Sequence, residues 1–385
     1  MIDISKIHQI VEVSDDSLGE YRKAALQDIG EKIVLPEFRY GSTLRMPMPQ
    51  VNIENIEKSP DVDLVEEFPE GISINDKFDE DDINILKEDD KSIEKYQLDL
   101  LHDSIMNYNV SVTIDKDFNL SRPAIINLKV NSSAVFSTMI IKANKFSKGT
   151  LIINYETLDT CKYSSFRIIV MAEEGSNLNV VAVQNASEST IHWQQSRAHA
   201  LENATVYFNE ACMGARYSHE DFFAELDGQG SSIETRVLYL SKSEQKHTIT
   251  TTSNHNVSQT YSDILTRGVI TDKAKALSIG YVRIKENAFD SNGYETQDAL
   301  LLSEKAEADA IPNLEIHNHD VKCSHGSTVS QIDDEKIFYM KSRGMSEKMA
   351  ISLIVQGYFN PLLEKVGNDS IKDKVYAQIQ RALPE

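Results

Sequence analysis

No proline occurs between Pro123 and Pro312 in this 385-residue chain. At an average usage of about 5%, a span of that length holds about nine. Proline donates no hydrogen bond to a β ladder and is excluded from strands paired on both edges, so its absence predicts a long series of central strands. Cysteine is scarce as well. Cys161, Cys212 and Cys323 form an odd, widely spaced set, which argues against a disulfide framework and for a reducing compartment. The longest apolar run, Ile168 to Ala172, falls far short of the roughly 20 residues of a membrane helix. Met1 to Lys6 lacks the basic start and apolar stretch of a secretory signal, and cytoplasmic residence is the expectation. Positive charge is in deficit: 39 basic against 60 acidic side chains leave a net charge of −21, which disfavours nucleic acid and anionic membranes as partners. With 41% apolar and 26% charged residues the chain is nonetheless globular in composition.

Short alternating segments fill the proline-free stretch. Val110, Val112 and Ile114; Ile126, Leu128 and Val130; Ile233, Thr235, Val237 and Tyr239; and Leu277, Ile279 and Tyr281 each place their apolar residues on one strand face. A loose phrase recurs between strands, in which acidic or polar residues precede a small one and a new alternating run begins. Its small residues are Gly175, Ala204, Gly230, Ala274 and Ala306, at intervals of 29, 26, 44 and 32. Irregular coils of a β-solenoid account for this phrase; a β-sandwich with ordinary turns is the alternative.

The flanks differ from the middle. Tyr21, Ala25 and Ile29 recur at helical spacing, with Ser17 as N-cap and Gly30 closing the helix. Residues 61–90 hold thirteen acidic side chains against Lys77 and Lys87, and read as a solvated linker or exposed helical face. After Asp333, short helices are expected: one capped by Asp333 or Asp334 and running to Gly344, one from Ser346 to near Gly357, and a third beginning at Asn360-Pro361. Met349, Ala350, Leu353, Ile354 and Gly357 line one side of the second, facing either the solenoid or a partner. The resulting division is a helical N-terminal region over 1–105, a β core over 106–328 and a C-terminal helical domain over 329–385.

Phosphate-loop, dinucleotide-binding, nucleophile-elbow, H-E-x-x-H and C-x-x-C patterns are all absent. The concentrated constellation is Glu315-Ile316-His317-Asn318-His319-Asp320-Val321-Lys322-Cys323-Ser324-His325-Gly326. If it is one extended strand, His317, His319, Cys323 and His325 share a face, and imidazole with thiolate suits borderline metals and iron–sulfur species. One strand cannot surround a metal, so a second strand or chain would have to supply ligands. A polar strand end with no ligand role is the plain alternative. His192, His199, His219, His247 and His255 are expected as satisfied core or polar residues, and Cys161 and Cys212 as small apolar ones. Trp193 has no legible role.

Leu314-Glu315-Ile316, Asp320 to Gly326 and Thr328-Val329 resemble the signature of the SufB/SufD family of the SUF iron–sulfur cluster assembly system, on its SufD side. Ile337-Phe338-Tyr339 and Ser342-Arg343-Gly344 match the family's helical tail. The resemblance covers about residues 100–357 and is faint before that, beyond Tyr21-Arg22-Lys23-Ala24 and Leu35-Pro36. It implies a mainly β fold, a right-handed parallel β-helix flanked by helical N- and C-terminal domains. It implies a non-enzymatic scaffold that pairs with a SufB-like paralogue or a second copy of itself. A SufC-like ATPase would dock on the C-terminal helices, for which Phe338, Arg343, Met349, Ile354 and Phe359 are the candidates.

A transient iron–sulfur cluster would form at the seam between β-helices. His325 is the foremost cluster-site residue and Cys323 the second, with His317 and His319 as accessory residues that depart from the family wording. Whether a flavin also binds stays open. SufB-like chains carry cysteine near Ala306 and glutamate after the shared histidine; Ala306 and Gly326 here favour the SufD side. Three rivals remain: a SufB-type homodimeric scaffold, a metal-binding or polysaccharide-acting β-helix enzyme, and a purely structural subunit.

Overall fold

The proline-free stretch forms strands that alternate between two sheets. The computed structural model describes residues 7, 18–29, 37–40, 42–45, 56, 60–91, 95–364 and 369–382. The first sheet stacks β3 (Val62–Glu67), β6 (Ala124–Val130), β8 (Lys148–Thr157), β10 (Asn177–Asn185), β12 (Thr205–Cys212), β14 (Ser232–Ser241), β16 (Tyr261–Ile270), β18 (Ser291–Leu301) and β20 (Val321–Gln331). The second stacks β4 (Ile72–Asn75), β5 (Tyr108–Ile114), β7 (Ala134–Ala143), β9 (Tyr163–Ala172), β11 (Ile191–Ala200), β13 (Tyr217–Leu226), β15 (Lys246–His255), β17 (Lys275–Ile284) and β19 (Glu307–Ile316). Pairing from β5 and β6 onward is parallel throughout, which is a solenoid and excludes the sandwich. Within these two sheets, among the described residues, only β3 and β4 run antiparallel to their neighbours, closing the N-terminal end on β6 and β5 respectively. A separate two-stranded ribbon joins β1 (Glu37–Tyr40) to β2 (Ser42–Arg45).

Each coil contributes one strand to each sheet, so every coil has two turns, and the turns stack in two columns. Gly175, Ala204 and Gly230 stand in one column; Ala274 and Ala306 stand in the other, and the interval of 44 marks the change of column. In the first column a backbone ladder links successive coils. The N–H groups of Phe146, Gly175 and Asn203 donate to the carbonyls of Glu174, Glu202 and Gln229, each at 2.9 Å. All three donors have positive φ. Asparagine tolerates that conformation and even phenylalanine adopts it here, so the column imposes geometry without imposing glycine, and its sequence signal is loose.

Alternation points Val110, Val112, Ile114, Ile126, Leu128 and Val130 into the lumen, where they join Ile153, Ile168, Val180 and Val206 in the main core. Leu277, Ile279 and Tyr281 differ. They lie on the outer face and pack with Ile311, while Ala276 takes the lumen side. A strand covered on both faces does not reveal its inner face by apolar parity. Pro312 sits in β19, the outermost strand of the second sheet, opposite Gly280, where its missing N–H breaks no ladder.

The flanking helices cover opposite outer faces. Leu26 of α1 (Gly19–Asp28) and Leu98, Leu101 and Ile105 of α3 (Gln97–Ile105) pack on Phe136, Tyr163, Trp193 and Tyr217 of the second sheet. Trp193, mute in the sequence, is fully buried there. Its Nε1 donates to Asp99 at 2.8 Å and its ring stacks on His219 at 4.0 Å. Ser17, Gly30 and Leu35-Pro36 lie outside the described residues.

Residues 61–90 are not a linker. They supply β3, β4 and α2 (Glu80–Asp89), and their acidity is partly structural. Asp79 and Asp82 form a capping box, and buried Asp82 also accepts from Ser111 at 2.8 Å and pairs with Lys142 at 2.9 Å. Buried Asp89 meets His199 at 3.0 Å. Burial disfavours the His199 cation, but Asp227 and Asp89 together hold its pKa up at about 10.

The C-terminal helices are α4 (Asp334–Ser342), capped by the Asp333 carboxylate, then α5 (Glu347–Leu363) and α6 (Asp369–Ala382). Ser346 Oγ accepts from the Met349 N–H, as expected of a cap. The expected stop near Gly357 and restart at Asn360-Pro361 do not occur; α5 runs through both. Val355, Phe359 and Leu363 are buried at four-residue spacing against the first sheet, and that continuous stripe outweighs the one helical hydrogen bond proline cannot make. No described helix is long and apolar enough to cross a membrane.

Truncation of a lumen residue should therefore cost far more than truncation at the last strand. Ile153→Ala, at a fully buried position, is expected to lose about 2–4 kcal/mol in urea unfolding, whereas Val329→Ala on β20 should stay within about 0.5 kcal/mol.

Candidate functional site

The last coil has nothing stacked on it. β20 pairs only with β18 and β19 only with β17, so both sheets end on a free edge among the described residues. The stretch from Glu315 to Gly326 straddles this coil and is not one strand: β19 ends at Ile316 and β20 begins at Val321. His317 and His319 are exposed residues of the turn between them. Buried Asn318 holds that turn, donating to the Glu286 carbonyl at 2.6 Å and accepting from the Asp320 N–H at 2.8 Å. The turn belongs to the first column, with the Asp290 N–H donating to the Asp320 carbonyl at 2.8 Å. The expected face of four ligands is thus not formed, because the solenoid turns where the sequence reading continued straight.

Cys323 and His325 do share a face. In register they lie beside Gly293 and Glu295 of β18. A Cβ on Gly293 would point at Val282 and His255, inside the solenoid, and Glu295 is 2% exposed. Alternation therefore gives Cys323 and His325 the lumen-facing column at the open end. Cys323 is half-buried among Ile264, Val282, Ile284 and Leu314, and burial raises its thiol pKa although the Gly293 backbone partly offsets this. His325 is exposed.

Glu295, directly behind His325, escaped the sequence reading. Its Oε1 accepts from Gln297 Nε2 at 2.5 Å, and burial lifts its carboxyl to about 7. Gly280 makes room for it, since any Cβ there would strike the Glu295 carboxylate. The signal that could have found it is the coil length: 30 positions separate Glu295 from His325, but only a known register makes that spacing meaningful. Deeper in the lumen His255 is held by Thr260 at 2.7 Å and Ser262 at 2.8 Å, and burial lowers its pKa to about 4. Thiol, imidazole and carboxyl are ligand types that borderline metals take, but among the described residues Cys323, His325 and Glu295 do not converge as a ligand group, so a second surface would have to complete any site.

The candidate docking residues separate. Phe338 (74% exposed), Met349 and Arg343 are at the surface, joined by Tyr339, whose hydroxyl accepts from Arg343 at 3.1 Å. Ile354 is half-buried. Phe359 is fully buried in the contact between α5 and the first sheet, so it is core and presents nothing to a partner. Ala306 is buried in the turn before β19, and Gly326 has open space around it.

Residues 125–358 match the family described as the SUF system FeS cluster assembly SufBD core domain. The chain belongs to the SufBD family. Among SufBD proteins it is 27% identical to the iron–sulfur cluster assembly protein SufD of Escherichia coli K12 over 239 residues, 62% of this chain and 56% of that protein. It is 26% identical to SufD of Bacillus subtilis 168 over 298 residues, 76% of this chain and 68% of that one. A SufBD family protein of Mycobacterium leprae is 24% identical, covering 71% of each chain. The chain thus spans little more than half the length of the E. coli relative. Two of these three relatives bear the name SufD.

The Glu295 carboxyl predicts a pH dependence. Its folded pKa lies above that of an unfolded glutamate, about 4.3, so the folded state binds the extra proton and the contribution is full below that value and lost as pH rises through about 7. Glu295→Gln should match the wild type at about pH 5 and exceed its stability at about pH 8 by roughly 1–3 kcal/mol, read from urea midpoints at the two pH values.

Proposed function

We propose that the chain is a scaffold subunit on whose open solenoid end an iron–sulfur cluster is assembled as cargo. The observation that carries this reading is the position of Cys323 and His325. Both stand on lumen-facing sites of β20, a strand with one unpaired edge, so ligand side chains and free backbone groups occur together. An exposed edge of 11 residues is a template for another strand. A SufB-like paralogue or a second copy laid against it would bring the ligands that one strand cannot supply, with Glu295 behind His325 and His317 and His319 as accessory groups on the adjoining turn.

Phe338, Tyr339, Met349 and Leu353 expose apolar surface on α4 and α5, beside Arg343. That surface suits a SufC-like ATPase, with half-buried Ile354 at its margin. Work from the ATPase would shift the seam between two arrangements and expose the thiol and imidazole. The reading takes the solenoid as right-handed, the hand in which parallel crossovers run. It places the protein in the cytoplasm, and it assigns a flavin no site.

The test is anaerobic reconstitution with iron and sulfide of the chain purified with a SufC-like ATPase and a SufB-like paralogue. His325→Ala and Cys323→Ser should lower cluster yield about tenfold or more at equal complex recovery. Full yield in both variants would refute the site. Phe338→Ser with Met349→Ser should reduce ATPase copurification while moving stability by less than about 0.5 kcal/mol. Undiminished copurification would remove the docking surface from the proposal.

A further inference from the structure

A second group of ligand-type side chains lies well inside the solenoid, several coils from the open end. Glu210 and Cys212 project into the lumen from β12, and Glu220 projects from β13 on the opposite wall. One ligand atom from each falls within 4.8 Å of the others, and all three residues are fully buried. Each carboxylate is half-satisfied. Glu210 Oε1 accepts from Gln194 Nε2 at 2.6 Å and Glu220 Oε1 from Ser218 Oγ at 2.5 Å. Glu210 Oε2 and Glu220 Oε2 are buried with no hydrogen-bond partner. The Cys212 thiol stands 3.8 Å from Glu210.

No described lysine or arginine pairs with either glutamate, and burial, joined at Glu210 by the charge of Glu220, raises both carboxyl pKa values. The histidines on the same walls are committed elsewhere: His192 to Ser164 and Gln194, His247 to Ser241 and the Gly214 carbonyl. Two buried carboxyls facing each other without a counter-charge hold their protons, and a cation bound between their unpartnered oxygens would displace those protons. The donor set narrows the ion. Two carboxylates disfavour monovalent copper, and a thiolate disfavours magnesium and calcium.

We propose that Glu210, Cys212 and Glu220 form an internal binding site for one divalent transition-metal ion of the iron(II) or zinc(II) kind, separate from the pair at the open end. The inference rests on the lumen geometry alone and is independent of the seam, the ATPase and the paralogue.

Cobalt(II) is a suitable probe, because thiolate ligation produces a near-ultraviolet charge-transfer band. The full chain would be loaded by anaerobic titration and, because the site is enclosed, also by expression in cobalt-supplemented medium. One equivalent of cobalt with a thiolate band is expected in the wild type and in Cys323→Ser. Cys212→Ser should lose the band, and Glu210→Gln and Glu220→Gln, which keep side-chain shape, should each weaken binding about tenfold or more. Absence of the band by both routes overturns the proposal. So does a band that survives Cys212→Ser, or cobalt affinity unchanged in both glutamine variants. Should Cys212→Ser fail to fold, the two glutamine variants decide alone. Failure of cluster assembly at the open end would leave each of these readouts unaffected.

Discussion

Parallel hydrogen bonding between successive coils is the constraint on which everything else depends. Strands stacked roughly 4.8 Å apart place residues about 29 positions apart side by side, so inward positions form continuous columns along the solenoid. Asn177 lies between Lys148 and Thr205, and the same alignment sets His325 beside Glu295 and Cys323 beside Gly293. The turn column repeats the arrangement through its ladder of N–H groups. A stack of this kind must end twice, and the two ends are treated differently. Antiparallel β3 and β4 close the first end, while β19 and β20 leave the last open. The candidate ligands are at the open end because only there can an inward position face something other than another coil.

The lumen is not uniformly apolar. Leucine, isoleucine and valine fill the early coils, whereas His192, Gln194, Glu210, Glu220, His247, His255 and Glu295 occupy inward positions further along. Most are paired through serine, threonine and glutamine neighbours, which is what a buried polar group requires. The apolar contribution those coils lose inside is supplied outside. Helix α3 covers Trp193 and Tyr217 on one face, and α5 covers Leu238, Leu240 and Val269 on the other. The flanking helices thus complete the stability of a solenoid whose interior is partly committed to polar chemistry.

Much of this was legible before the structure. The proline gap announced strands paired on both sides, and the one proline within the last coils sits on an edge strand, as its missing N–H demands. The string from Asp320 to Gly326 pointed to the open-end pair. Less legible were features that depend on register. The phrase of small residues merged two turn columns into one irregular repeat. The run of histidines and cysteine looked like one strand because nothing in its composition marks the turn at 317–320; Asn318 does so by bonds to Glu286 and Asp320. The acidic segment resembled a linker because charge counts do not show that Asp82 and Asp89 are buried against Lys142 and His199. Phe359 looked available to a partner because helical spacing cannot say which stripe meets the sheet.

The sequence by itself pointed to a core of centrally paired strands, and its resemblance to the SufB/SufD signature pointed to the solenoid, the family and the candidates Cys323 and His325, because these rest on local features: proline cannot donate, strands alternate, and a short signature is contiguous. Tertiary structure alone decided which residues became neighbours across coils. Glu295 came behind His325, Glu220 came to face Glu210 and Cys212, and His317 and His319 were turned away from the ligand face. The physical reason is that such neighbours are set by hydrogen-bond register between strands about 30 residues apart, and each coil adjusts that spacing by the length of its turns.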